Sequence, residues 1–217
     1  EELFDVATML SSQGLPRGRK VAVLTNAGGP GILAADALES HRLEVPTLSD
    51  RTVAQLAEFL PAEAGMSNPV DMIASASPDA YRRAMTILGN ADEVDALFVI
   101  FIPTGTTATD DVARALIAAK AELPADVPVV SVFMSATGMP PGLEGAGIPS
   151  FAFPEAAARA LGRVAAYARW RRRPLGSIIE PDGIGRGAAR RVVDEVLEGA
   201  VAPSAAELRA GQDAGRW

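Results

Sequence analysis

Two runs that are apolar at nearly every position constrain the fold most: Ala96 to Ile102 (ALFVIFI) and Val127 to Met134 (VPVVSVFM). A strand with one wet face alternates apolar and polar side chains. A short run without that alternation fits a strand covered on both faces, which is the situation of a parallel sheet clothed by helices. Lys20 to Thr25 (KVAVLT) carries the same signature, and Ile148 to Phe151 is a shorter instance. Leu43 to Pro46 supplies the remaining short strand, second in chain order.

Helical segments separate these runs. Residues 1–12 place Leu3, Phe4, Val6, Ala7 and Leu10 on one face. Further helices are expected over 32–40, over 50–60 behind an N-capping Ser49, over 79–88, from 109 or 110 to 123, and from Pro154 to Trp170, with proline at the first turn. About five strands alternating with about five helices predict an α/β protein, an open parallel sheet with helices on both faces and strand order 2-1-3-4-5. Residues 174–185 (PLGSIIEPDGIG) read as a linker and 186–198 as one more helix. The tail from Gly199 is rich in Ala and Gly and is expected to be poorly ordered. The expected division is therefore a sheet domain over 1–173 and a helical extension over 174–217.

Composition removes several function classes. The chain has no Cys, which excludes disulfide frameworks, thiolate metal sites and cysteine nucleophiles. No apolar run approaches the ~20 residues of a membrane span. The net charge of -7, from 20 basic and 27 acidic residues, is the wrong sign for a dedicated nucleic-acid binder. One region departs from that balance: Arg163 to Arg191 holds eight Arg against Glu180 and Asp182. Its densest part, Arg169-Trp170-Arg171-Arg172-Arg173, has the composition of a nucleic-acid or membrane patch, but it also suits the C-terminal end of a helix, where cations meet the helix dipole. The helix end is the reading taken, with no nucleic-acid or membrane partner and a cytoplasmic location. The chain opens Glu1-Glu2-Leu3, without signal peptide or initiator Met, and reads as a piece of a longer protein.

Ligands on open parallel sheets bind beyond the carboxyl ends of the strands. Three loops are expected there. In the first, Asn26, Ala27, Gly28, Gly29 and Gly31 allow close backbone approach at a helix N-terminus, which favours phosphate. Its glycine spacing matches neither the dinucleotide fingerprint nor the P-loop, it contains no Lys, and a plain strand-to-helix turn explains it equally. The second loop offers Asn68 and Asp71 around Pro69, as ligand or interface residues or as a structural Asx turn. The third, Pro103 to Thr107, offers Thr104 and Gly105. The single histidine, His41, sits among polar neighbours and reads as a surface residue, and no cluster of acids suggests a metal site. No catalytic residue is assigned, so the chain is expected to complete an active site shared with another domain and to be inactive alone.

Four segments in order, Leu3 to Ala7 (LFDVA), Val21 to Gly31 (VAVLTNAGGPG), Asn68 to Asp71 (NPVD) and Phe151 to Glu155 (FAFPE) with its Ala-rich helix, resemble the NDP-forming (ADP-forming) acyl-CoA synthetases, relatives of succinyl-CoA synthetase. The resemblance covers roughly 1–173 and points to the second flavodoxin-like ligase domain. It implies a parent enzyme with a CoA-binding domain, a first ligase domain and an ATP-grasp part, in the same or a partner chain. That parent would join a carboxylic acid to CoA with ATP (as its Mg complex) going to ADP and phosphate through a phosphohistidine. The family's Ser-His-Thr-Gly run is absent here and His41 does not match it. The resemblance assigns Asn26 to Gly31 to holding the phosphate, with no cofactor bound by this segment alone. Two alternatives remain open: a ligand-sensing domain fused to a GNAT-type protein acetyltransferase, and a nucleotide- or flavin-binding module, disfavoured because no aromatic residue lies near the first loop.

Overall fold

The computed structural model of the protein describes residues 2–105, 107–135, 138–177 and 185–199. Contacts divide the chain after Arg173 into two units. In the first, α1 (Glu2–Ser12) precedes β1 (Val21–Thr25), α2 (Gly28–Ser40), α3 (Asp50–Ala57), β2 (Val70–Asp71) and α4 (Pro78–Gly89). There follow β3 (Ala96–Phe101), α5 (Thr109–Lys120), β4 (Val129–Phe133), a single 3-10 turn at Glu144–Ala146, β5 (Ser150–Phe151) and α6 (Pro154–Arg171). Among the described residues the second unit contributes α7 (Arg186–Gly199). The tail beyond Gly199 lies outside the described residues.

All strand pairs are parallel and the order is β2-β1-β3-β4-β5, the flavodoxin-like arrangement. The period of two in each strand sorts its side chains to two cores. Ala22, Leu24, Leu97, Val99, Phe101, Val129 and Phe133 face α3, α4 and α5, with Tyr81 edge-on to Phe101 at 5.8 Å. Val21, Val23, Phe98, Ile100, Val130 and Val132 face α1, α2 and α6. Because both faces are dry, no position in β1, β3 or β4 shows the polar alternation of a half-exposed strand.

Four expectations need correction. The edge strand beside β1 is Val70–Asp71, from the stretch expected to be loop, whereas within Leu43–Pro46 a single residue, Glu44, bridges to Lys20. Helix α2 begins at Gly28, four residues earlier than Ile32, so the glycines form its first turn. Pro30 is compatible with that place because the first turn of a helix has no use for its N–H. Ser49 does cap α3, accepting from the Thr52 N–H at 3.2 Å, but the helix stops at Ala57. Strand β4 starts at Val129, after Pro128, which has no N–H to give the ladder.

Candidate functional site

At the carboxyl ends of β1, β2 and β3 the three expected loops come together. Thr25 is fully buried, and its hydroxyl accepts from the Ala27 N–H at 3.0 Å while donating to the Ala27 carbonyl at 2.9 Å, which turns the chain sharply out of β1. Ala27 is the N-cap of α2 and has no side-chain cap. The Gly28 and Gly29 N–H groups, at the first two positions of the helix, therefore have no intrahelical partner and no other partner among the described residues. The positive end of the helix dipole stands behind them.

Each glycine of the turn has its own environment. A Cβ at Gly28 would lie 2.9 Å from Asp71 Oδ2, and one at Gly31 would lie 3.0 Å from Thr25 Cγ2 and 3.4 Å from Pro69 Cβ. A side chain at either position would press on its neighbours. A Cβ at Gly29 would meet nothing within 4 Å, and the residue is exposed. Nothing among the described residues explains a glycine there, in a helical position that favours almost any other residue.

The two asparagines are committed to the sheet. Asn26, 2% exposed, donates from Nδ2 to the Ile102 carbonyl at 2.8 Å and accepts from the Ile102 N–H at 2.9 Å. It splints β1 to β3 where the strands part. On the other side, Asn68 Oδ1 accepts from the Val23 N–H at 2.9 Å, and Nδ2 donates to the carbonyls of Val21 at 2.9 Å and Pro46 at 3.1 Å. It fills the gap between the Lys20–Glu44 bridge and β2, acting as a peptide group would. The Asn68–Pro69 bond is cis.

Asp71 pairs its backbone with Gly65, and its Oδ1 accepts from the Ile73 N–H at 3.0 Å. Its Oδ2 faces Gly28. Ile73 holds φ at +60°, a left-handed conformation that a β-branched residue adopts only under constraint. No sequence signal marks Ile73. Below it Tyr81 is buried and donates to the Ile100 carbonyl at 2.9 Å; burial, and secondarily the Asp71 charge, push its phenol well above the ordinary range. Thr104 Oγ1 donates to the Ala74 carbonyl and Thr107 Oγ1 to the Ala76 carbonyl, each at 3.1 Å, so the third loop is laced to the second. Gly105 has φ +85° and faces open space. The site thus presents backbone donors at a helix end, beside one carboxylate, with no Lys or Arg between Thr25 and Gly31. Exposed Ile32 and Leu33 follow on the next turn of α2. Among the described residues no three His, Asp or Glu stand together to hold a metal, and no helix is long and apolar enough to cross a membrane.

No protein-family model matches the chain. The chain is 39% identical over 166 residues to the alpha subunit of acetate–CoA ligase [ADP-forming] II of Pyrococcus furiosus, covering 74% of this chain and 36% of that protein. It is 30% identical over 201 residues to acetate–CoA ligase [ADP-forming] I of Archaeoglobus fulgidus, covering 91% of this chain and 28% of that protein. Among solved structures, a protein of Pyrococcus horikoshii OT3 superposes with a TM-score of 0.71 at 38% identity, over 77% of this chain and 40% of that one. The dinucleotide forming acetyl-coenzyme A synthetase 1 of Candidatus Korarchaeum cryptofilum, in complex with phosphate and ADP, superposes with a TM-score of 0.70 at 27% identity, over 78% of this chain and 37% of that one. The chain spans about a third of the length of the curated relatives it matches.

Proposed function

The chain belongs to the ADP-forming acyl-CoA synthetase family as a homologue of part of its members, and on that premise we propose that it is the second ligase domain of such an enzyme, supplying a clamp for the phosphoryl group. The parent joins a carboxylic acid to CoA while ATP becomes ADP and phosphate, with the phosphoryl group carried on a histidine of another domain. The ATP-grasp part follows the second unit, and the CoA-binding and first ligase domains complete the assembly in the same or a partner chain.

The observation that carries the reading is Gly29: an exposed glycine with open space around it, at the first turn of a helix whose leading N–H groups are unpartnered. In this role the Gly28 and Gly29 N–H groups donate to phosphate oxygens, and the absent side chain at Gly29 lets the phosphorylated histidine come close. Thr25 and Asn26 fix the turn rather than touch the ligand. Preorganised neutral donors stabilise a transferring group without holding it so tightly that it stays. Asp71 beside Gly28 opposes prolonged residence of an anion, which suits a group that must leave. Exposed Ile32 and Leu33 give the incoming domain an apolar seat. The named relatives are ligases, so the catalytic parent is preferred to the regulatory one.

The test uses the complete parent protein with ATP, CoA and a panel of short and aromatic acids, following ADP release and phosphohistidine together. Gly29→Val keeps the N–H but puts a branched side chain where the phosphohistidine must approach, and the misplacement is expected to lower both by on the order of 10²-fold, with an unchanged melting profile. Gly28→Val is a poorer probe because it strikes Asp71. Wild-type phosphorylation in Gly29→Val would sink the clamp.

A further inference from the structure

At the amino end of the sheet, a cavity of about 300 Å³ opens between the C-terminus of α2 and the later turns of α6. Arg19, His41, Arg42, Arg159, Arg163 and Arg169 line it, and no carboxylate does. In a chain of net charge -7, that is a marked segregation. Three of the guanidinium groups are partly neutralised from outside the cavity: Arg19 by Glu44, Arg159 by Asp5 and Glu2, and Arg163 by Glu2. Arg42 and Arg169 have no side-chain partner among the described residues.

The backbone around the cavity is shaped to bring these groups together. Gly162 lets α6 approach α2 closely, since a Cβ there would lie 2.9 Å from both the Cβ and the carbonyl oxygen of His41. Helix α2 ends in a Schellman motif, with the Leu43 N–H donating to Leu38 O at 3.0 Å and the Arg42 N–H donating to Glu39 O at 2.9 Å. The left-handed position of that motif is usually glycine. Here it is Arg42, with φ +63°. A residue that carries a Cβ and a long cationic side chain thus occupies a position where glycine would be less strained. Arg159 and Arg163 add a second unfavourable choice, like charges four apart on one helix.

We propose that this cavity is a binding site for a compact polyanion of the di- or triphosphate class. Guanidinium groups form paired, charge-assisted hydrogen bonds to phosphate oxygens, and the volume is at the small end of ligand sites. The site is separate from the clamp at Gly28 and Gly29: it adjoins the entry to β1, and that five-residue strand alone puts about 17 Å between its ends. It stands whether or not the clamp does.

The test is calorimetric titration of the full 217-residue chain with inorganic triphosphate at low salt, with ATP in parallel. One saturable site is expected, weakened about tenfold or more by Arg42→Gly and by Arg169→Gln, weakened by added KCl, and unchanged by Gly29→Val. Equal affinity for the two probes assigns recognition to the phosphate chain, and tighter ATP assigns it to a nucleotide; both support the site. Absence of saturable binding, binding that survives both arginine changes in variants with native circular dichroism, or binding lost with Gly29→Val would overturn it.

Discussion

The two ends of helix α2 are built in opposite ways. Its N-terminus, beyond the carboxyl ends of the strands, offers bare N–H groups, an unfilled glycine and no cationic side chain. Its C-terminus, at the amino end of the sheet, is ringed by five arginines. The first arrangement acts through dipoles and falls off within about one turn of the helix. The second acts through full charges and is screened over a Debye length of about 8–10 Å at ordinary ionic strength. On the readings proposed above, the first suits brief residence of a phosphoryl group and the second capture of a freely diffusing polyanion. Both ends hold a non-glycine residue at positive φ, Ile73 beside the glycine turn and Arg42 in the arginine ring, so neither is backbone left to its own preferences.

The largest stability effect is expected where the carboxyl end is held rigid. Asn26→Leu removes two hydrogen bonds made by a buried side chain and leaves the N–H and C=O of half-buried Ile102 without partners, a cost of about 2–4 kcal/mol. Asn68→Leu breaks three bonds, two of them to the fully buried Val21 and Val23, and a comparable cost of about 2–4 kcal/mol is expected. Urea unfolding of the two variants checks both values. If Asn26→Leu loses under about 1 kcal/mol, the two strands do not depend on this splint, and the rigid-turn account of the clamp fails.

The central sheet was legible in the sequence because β1, β3 and β4 are apolar at both periods, and only a doubly covered parallel strand tolerates that. The edge strand was not legible. Val70–Asp71 is two residues long, and its place on β1 depends on the Asn68 side chain, a long-range contact that no local pattern announces. Leu43–Pro46 looked like the better strand, yet its neighbourhood to β1 reduces to Glu44. The start of α2 was obscured by Gly28-Gly29-Pro30-Gly31, which reads as loop because propensity scales penalise glycine and proline without regard to the first turn. Of the candidate site residues, the glycine turn was visible as a pattern; the hydrogen bonds that tie the Asn26 and Asn68 side chains to the sheet backbone were not. The arginine ring was invisible for a simpler reason: Arg19, Arg42 and the α6 arginines are far apart in sequence, and spacing revealed only a basic helix end.

Gly29 and Arg42 form a reciprocal pair that sharpens the contrast between the ends. One is a glycine in a helical position with room for a side chain; the other is a side chain in a position that favours glycine. Gly29→Ala and Arg42→Gly are each expected to raise stability by about 0.5–1 kcal/mol. Each should also impair its own end alone: phosphohistidine formation in the parent for Gly29, triphosphate affinity for Arg42. Thermal unfolding with the two binding assays reads this directly. A gain in stability with no loss at either end would mean that both residues are accidents of the sequence, because a stability concession is expected only where function requires it.

The smallest effect concerns acid. Near the amino end, burial alone would raise the Glu93 carboxyl, but hydrogen bonds from the Ser49 N–H at 2.8 Å and the Thr52 hydroxyl at 2.7 Å outweigh it and bring the group from 4.5 to about 2. Glu2, which steadies Arg163 behind the cavity, is also lowered, first by its hydrogen bond from that arginine. A carboxyl held lower in the folded chain than in the unfolded one contributes stability that is complete above the unfolded value and fades as pH falls toward the folded one. For Glu93 that window runs from about 4.5 down to about 2. Wild type should therefore melt above Glu93→Gln at neutral pH, and the gap should close through this window. The Ala27 and Ile102 N–H groups flanking the glycine turn, bonded to Thr25 Oγ1 and Asn26 Oδ1, should keep their amide-exchange protection while the amino end loosens. A gap that persists at pH 2 would show that Glu93 anchors α3 by packing rather than by charge, and the division of the molecule into a charged end and a dipolar end would lose its acid signature.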